Sequence, residues 1–199
     1  KMEIERCISW AVLHGLVVSN NGQDGSMIHA PISLLPYQFP KDSFHHAKNL
    51  APFFNLLVHR VASNSQWLLQ TLENTATHDP FTGRLMNIYR KILQDGVKQP
   101  IVLGLHRSDY MLHSVENDPR TFMQVELNTI ASSFGALSSK VSEMHRVLCL
   151  SGSEELSPPN NAHTEFAKGI AQAHDLYLTQ RNSNVDHRVC VVMIVQPGE

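Results

Sequence analysis

The sequence has no apolar run able to cross a bilayer: the longest, Val189–Val195, falls far short of the roughly 20 residues a spanning helix needs. It is also poor in cysteine. Cys7, Cys149 and Cys190 are odd in number and widely spaced, two of them inside apolar stretches, which predicts reduced core thiols and argues against a disulfide-stapled domain. No signal-peptide pattern opens the chain, so these features together read as a cytoplasmic protein. Charge of one sign is scarce as well. A formal net charge of −2 and a pI near 6.7 argue against nucleic acid or a membrane as a partner. Several catalytic signatures are missing: a Walker A loop, a Gly-x-Gly-x-x-Gly turn after a strand, a Gly-x-Ser-x-Gly elbow and a Cys/His nucleophile arrangement. The 12 histidines show neither His-x₃-His nor Cys-x₂-Cys pairing, which argues against a zinc site.

What is present predicts an α/β protein with a mainly helical region over 1–98 and an α/β region over 99–199. With 199 residues and 42% hydrophobic content, the chain can bury one substantial core or two small ones. Ile4, Ile8, Ala11, Val12 and Leu16 mark one face of an opening helix that runs out near the turn cluster Asn20–Gly25. Prolines at 31, 36 and 40 predict an extended connector, and helical spacing resumes from Phe44 to a break at Pro52, then from Phe53 to Leu72. Asp79 as N-cap, Pro80 at the first helical position and Gly96 beyond the end bracket a further helix with a buried stripe of Phe81, Leu85, Ile88 and Ile92. Trp10, Trp67 and the phenylalanines at helical spacing read as core. After Pro100 the pattern changes to short apolar runs. Residues 101–105, 125–129 and 189–195 read as strands of a mostly parallel sheet flanked by helices, which carry Leu137, Val141, Met144 and Leu148 in one and Phe166, Ile170, Ala173 and Tyr177 in the other. The start in mid-helix pattern at Lys1-Met2 and the end at Gln196-Pro-Gly-Glu199 predict a piece of a longer chain.

The chemistry concentrates between residues 107 and 135. In Gln124-Val-Glu-Leu-Asn-Thr129 polar and apolar residues alternate, so Glu126 and Asn128 share one strand face while Val125 and Leu127 take the other. A carboxylate and an amide oxygen two residues apart suit a hard cation such as Mg²⁺, which takes one or two protein carboxylates and completes its octahedron with water and phosphate. Arg107 lies one strand upstream. The serine-rich turn Ala131-Ser-Ser-Phe-Gly135 leads into an amphipathic helix, the kind of helix start that offers its first N–H groups to an anion. On spacing alone the Glu/Asn pair also fits a solvated sheet face, the arginine a surface ion pair, and the serines a helix cap.

Arg107-Ser-Asp-Tyr-Met111, Gln124 to Ser139, Glu143-Met-His-Arg146, Ala30 to Pro36 and Asp79 to Leu85 resemble the eukaryotic glutathione synthetase family, in family order along essentially the whole chain. The resemblance is to the amino-terminal portion of a longer ATP-grasp enzyme, a homodimer. It implies that Glu126 and Asn128 are Mg²⁺ ligands, Glu126 also lying beside the ATP phosphates. Arg107, the stretch Ile130, Ala131, Ser132 and Ser133, and Glu199 would bind substrate, with no side chain acting as a nucleophile. The family commonly has serine at the position of Ala131. The implied reaction joins γ-glutamylcysteine and glycine through an acylphosphate, with ATP as co-substrate. Alternatives are a ligase with another acceptor, β-alanine or serine, or altered chemistry, and a non-catalytic relative that binds γ-glutamyl peptides.

Overall fold

The computed structural model describes residues 2–20, 25–113, 121–148, 158–180 and 189–195. They form a mixed α/β structure in two compact units, one of residues 1–39 with 132–199 and one of residues 40–131. Glu199 and Cys149 lie outside the described residues.

In the first unit, α1 (Met2–Leu13) ends at Gly15, whose φ of 75° suits a residue without a Cβ, and the chain turns into β1 (Val17–Ser19). That strand pairs antiparallel with β2 (Met27–His29). Helices α5 (Gly135–Val147) and α6 (Ala162–Gln180) complete the unit. Cys7, Trp10, Ala11, Leu16, Ala30 and Met144 are buried together, with Leu137, Val141 and Leu148 packed around them. The i, i+3, i+4 spacing of Cys7, Trp10 and Ala11 therefore defines the inner face of α1, whereas Ile4 and Val12, expected on it, are exposed. Burial pushes the Cys7 thiol above its ordinary value. His145 is buried too, and its Nε2 lies 2.9 Å from the Ser33 carbonyl oxygen. Ser139 joins α5 to α6: its hydroxyl donates to the Gly135 carbonyl at 2.9 Å and lies 3.3 Å from Asn160 Oδ1. The same Oδ1 accepts from the Ala162 amide at 3.0 Å, satisfying one of the donors at the start of α6.

The second unit strings together α2 (Lys41–Ser63), α3 (Ser65–His78), α4 (Pro80–Asp95), β3 (Arg107–His113) and β4 (Thr121–Asn128). Helix α2 runs through Pro52, where a break was expected, and the real interruption is Asn64, whose side chain accepts from the Trp67 amide. Asp79 caps α4 through the Phe81 and Thr82 amides, and Gly96 ends it at a φ of 79°. The Thr82 hydroxyl donates to the same carboxylate, and it and the two amides together hold the Asp79 carboxyl below the ordinary carboxylate range. The expected buried stripe of α4 is overturned: Phe81, Leu85, Ile88 and Ile92 are exposed, and Met86 is the buried residue. Helix α4 meets α3 along Gly83, where a Cβ would lie 2.8 Å from the Ala76 carbonyl oxygen. That close approach selects the Gly83–Met86 side of α4 and leaves the apolar stripe outward; Trp67 and Phe53 are likewise exposed.

The sheet also differs from expectation. Residues 101–106 form no strand, and β3 starts only at Arg107. Residues 189–195 have no strand partner among the described residues; they are largely exposed, and Cys190 with them. The paired strands described are all antiparallel. A parallel connection needs roughly a dozen residues or more for its crossover, and 114–120 is too short a link between β3 and β4.

Candidate functional site

The register of β3 against β4 places Arg107 opposite Asn128 and Asp109 opposite Glu126. These four side chains share one face at one end of the ribbon. The alternation rule alone would put Phe122, Gln124, Glu126 and Asn128 together. It is broken by a bulge: Asp109 pairs with Glu126 and Tyr110 with Gln124, so Val125 is the extra residue. Gln124 therefore turns to the opposite face, where its amide donates to the Ser108 hydroxyl at 2.8 Å. Phe122 follows it, edge-on to both Tyr110 and His46 of α2 with ring centroids 5.3 Å apart in each case. Val125, expected on the buried side, is 57% exposed because the bulge lifts it out of the ladder.

The polar face is cross-linked. Arg107 Nε donates to Asp109 Oδ1 at 2.9 Å and Nη2 to Oδ2 at 3.2 Å, a two-pronged pair. The same Nη2 donates to Glu126 Oε1 at 3.3 Å, and Asn128 Nδ2 donates to that oxygen at 2.8 Å. Side-chain exposures of 27% for Arg107, 38% for Asp109 and 53% for Glu126 leave the cluster open to water. Hydrogen bonding to Asp109, reinforced by both carboxylate charges, raises the guanidinium further above its ordinary value, so Arg107 stays charged.

One guanidinium against two carboxylates leaves the cluster one negative charge, which favours a cation, and a divalent ion would invert its sign and prepare it for an anion. The donors fit Mg²⁺ in kind: hard oxygens, few carboxylates and room for water. Asn128 presents its NH₂ to Glu126 here, and a half-turn of the amide would present its oxygen. Among the described residues no group of three or more His, Cys, Asp or Glu side chains could hold a metal, so any ion here would rely on the amide, water and phosphate.

The structure thus brings Arg107, Glu126 and Asn128 together and adds Asp109, a residue the sequence reading left unassigned. Its signal was the i, i+2 spacing from Arg107, which on a strand means the same face. Ile130 and Ala131 follow in the same unit, Ile130 being 86% exposed and Ala131 holding a φ of 49°. Ser132 and Ser133 open the other unit. Neither serine is the N-cap of α5: that position is Phe134, at φ 70° and with no capping side chain. Two non-glycine residues with positive φ within one short turn cost energy, and such strain collects at ligand sites.

A polar ribbon end that carries charges of both signs on a mixed α/β scaffold is chemically suited to a cation and an anion side by side. Comparison with known proteins gives the family. The family model described as eukaryotic glutathione synthase, ATP binding domain, matches residues 2–185. The chloroplastic glutathione synthetase of Solanum lycopersicum is 39% identical over 203 residues, covering 96% of this chain and 35% of that protein. The glutathione synthetase of Dictyostelium discoideum is 36% identical over 212 residues, covering 98% and 42%, and that of Homo sapiens 39% over 153 residues, covering 75% and 32%. Among solved structures, a glutathione synthetase-like effector from Globodera pallida in its apo form shares the fold, with a TM-score of 0.74 at 22% identity over 92% of this chain and 40% of that one. The chain belongs to the eukaryotic glutathione synthetase family. It spans 35% and 42% of the tomato and Dictyostelium relatives. No described helix is long and apolar enough to cross a membrane.

Proposed function

We propose that the complete protein is an ATP- and Mg²⁺-dependent ligase that joins γ-glutamylcysteine to glycine, and that this chain supplies its metal contacts and part of its dipeptide site. The observation that carries the reading is the hydrogen-bonded cluster of Arg107, Glu126 and Asn128 at one ribbon end. Transfer of a phosphoryl group to a carboxylate brings two anions together, so charge neutralisation and alignment do most of the work. Mg²⁺, when bound, would neutralise phosphate charge, with Glu126 and Asn128 as its protein ligands. Arg107 orients the cysteinyl carboxylate of the dipeptide. The backbone of Ile130, Ala131, Ser132 and Ser133 cradles the same substrate, and Glu199 meets it from a later segment. The carboxylate takes the terminal phosphoryl group of ATP and ADP leaves. The glycine amine then attacks the acyl carbon, loses a proton and expels phosphate, giving glutathione. No side-chain nucleophile enters either step. The enzyme works as a cytoplasmic homodimer with an ATP-grasp fold.

The test is ADP formation by the complete protein with γ-glutamylcysteine and glycine each omitted in turn, with the product identified by mass. ADP release that requires both, with glutathione formed, is the expected result. A folded, complete protein that gives no ADP under these conditions would overturn the reading. Turnover with β-alanine or serine in place of glycine would reassign the acceptor.

A further inference from the structure

Two carboxylates hold the Arg107 guanidinium, and they do not play equal parts. Glu126 reaches it through one long contact of 3.3 Å and shares the accepting oxygen with Asn128. Asp109 accepts from both its Nε and its Nη2, at 2.9 and 3.2 Å. A two-pronged pair fixes the plane of a guanidinium, whereas a single contact leaves it free to rotate about that bond. The two carboxylates also face different demands. Glu126 is half exposed, at 53%, and is the carboxylate placed beside a cation in the functional reading above. A metal drawn to Glu126 competes directly with the Arg107 contact. Asp109 sits opposite Glu126 in the ladder but spends both oxygens on the arginine, so its grip is independent of where Glu126 turns.

Resting on that reading, we propose that Asp109 is the positioning residue of the site: it holds the Arg107 guanidinium in one plane, aimed at the dipeptide carboxylate, while Glu126 is engaged by the metal. Asp109 touches no substrate and acts only through the arginine. The bulge that follows it contributes, because the ladder is regular from Arg107 to Asp109 and shifts only beyond, so the pair lies on undistorted backbone.

The experiment is steady-state kinetics on the complete protein with Asp109→Asn, Arg107→Lys, Arg107→Ala and the double variant Asp109→Asn/Arg107→Lys, with thermal melts of each. Asparagine keeps the shape and one acceptor but removes the charge and one prong. The KM for γ-glutamylcysteine is expected to rise about tenfold in Asp109→Asn, with the KM for ATP within about twofold and the melting temperature unchanged. Lysine cannot form the fork, so the double variant is expected to be no worse than Arg107→Lys alone. Additive losses in the double variant, a wild-type dipeptide KM in Asp109→Asn, or equal weakening of ATP and dipeptide would overturn the proposal. If Asp109→Asn failed to fold, Asp109→Glu would take its place, with a dipeptide KM restored toward wild type expected and a wholly unaffected KM in Arg107→Lys overturning it. The two readings fail separately. An Arg107→Ala variant with normal dipeptide KM sinks the substrate role of the arginine itself. A raised KM in Arg107→Ala beside a normal one in Asp109→Asn sinks only the positioning role.

Discussion

The packed interior of the first unit and the polar end of the β3–β4 ribbon keep their shapes by opposite means. In the first, Cys7, Ala11, Leu16 and Met144 are fully shielded from water, and shape complementarity holds them. At the ribbon end, Arg107, Asp109, Glu126 and Asn128 hold one another through charge and hydrogen bonds while remaining in reach of solvent. Water-exposed ion pairs add little to folding stability. On the proposed function the ribbon end keeps its charges for a ligand, whereas the interior spends its apolar surface on folding. Damage to the one should appear as lost binding or turnover, and damage to the other as lost stability.

The sharpest way to break that division is Glu126→Ala. It should lower ATP turnover of the complete protein by about a thousandfold, several kcal/mol of transition-state stabilisation, while unfolding stability changes by no more than about 1 kcal/mol. Wild-type turnover in this variant would remove Glu126 from the proposed metal ligands. Met144→Ala is the mirror experiment. Removing a fully buried side chain should cost about 2–5 kcal/mol in denaturant unfolding and leave the KM values of the folded enzyme alone. A changed KM there would show that the two regions are not separable. Ala131→Ser adds a hydroxyl to the proposed dipeptide cradle, and isothermal titration should find γ-glutamylcysteine bound more tightly by about 0.5–1.5 kcal/mol. Unchanged affinity would leave only backbone contacts at that position.

The smallest expected effect lies in the cap of α4. The Asp79 carboxyl is held below its unfolded value by the Thr82 and Phe81 bonds, so its contribution is fully present above the ordinary carboxylate range. It is lost as pH falls through the depressed folded value. Asp79→Asn, itself a good cap, should leave the melting temperature at neutral pH nearly unchanged and flatten its acid dependence. An unaltered acid limb would mean that the charge of Asp79 plays no part in the cap.

Much of the helical layout was legible because its signals are local. The Asp79, Pro80 and Gly96 brackets of α4 and the spacing of Leu137, Val141, Met144 and Leu148 along α5 each concern one element and its own period. Which face of a helix would be buried was less legible. The apolar stripe of α4 is stronger on paper than the side carrying Gly83, yet the small residue won because it lets α3 come close. Pro52 misled for a related reason. A helix already long on both sides can lose one hydrogen bond and continue. In the site, Glu126 and Asn128 were readable from alternation, but Asp109 and the turned Gln124 needed the pairing of two strands and the position of a bulge. The direction of that pairing was hidden too: strands read at 101–105 and 125–129 leave a link long enough for a parallel crossover, and only the observed ends of β3 and β4 shorten it to 114–120.

The extra residue at Val125 has a consequence for how the ribbon tolerates change. Because it resets the in-and-out rhythm of β4 midway, the stretch around Phe122 meets His46 of α2 and the stretch around Glu126 carries the polar cluster, each with its own phase. Were the ladder regular through that residue, Phe122 and Glu126 would fall on one side, and ring packing and the polar cluster would compete for the same surface. One unpaired amino acid thus lets a two-stranded element serve two masters.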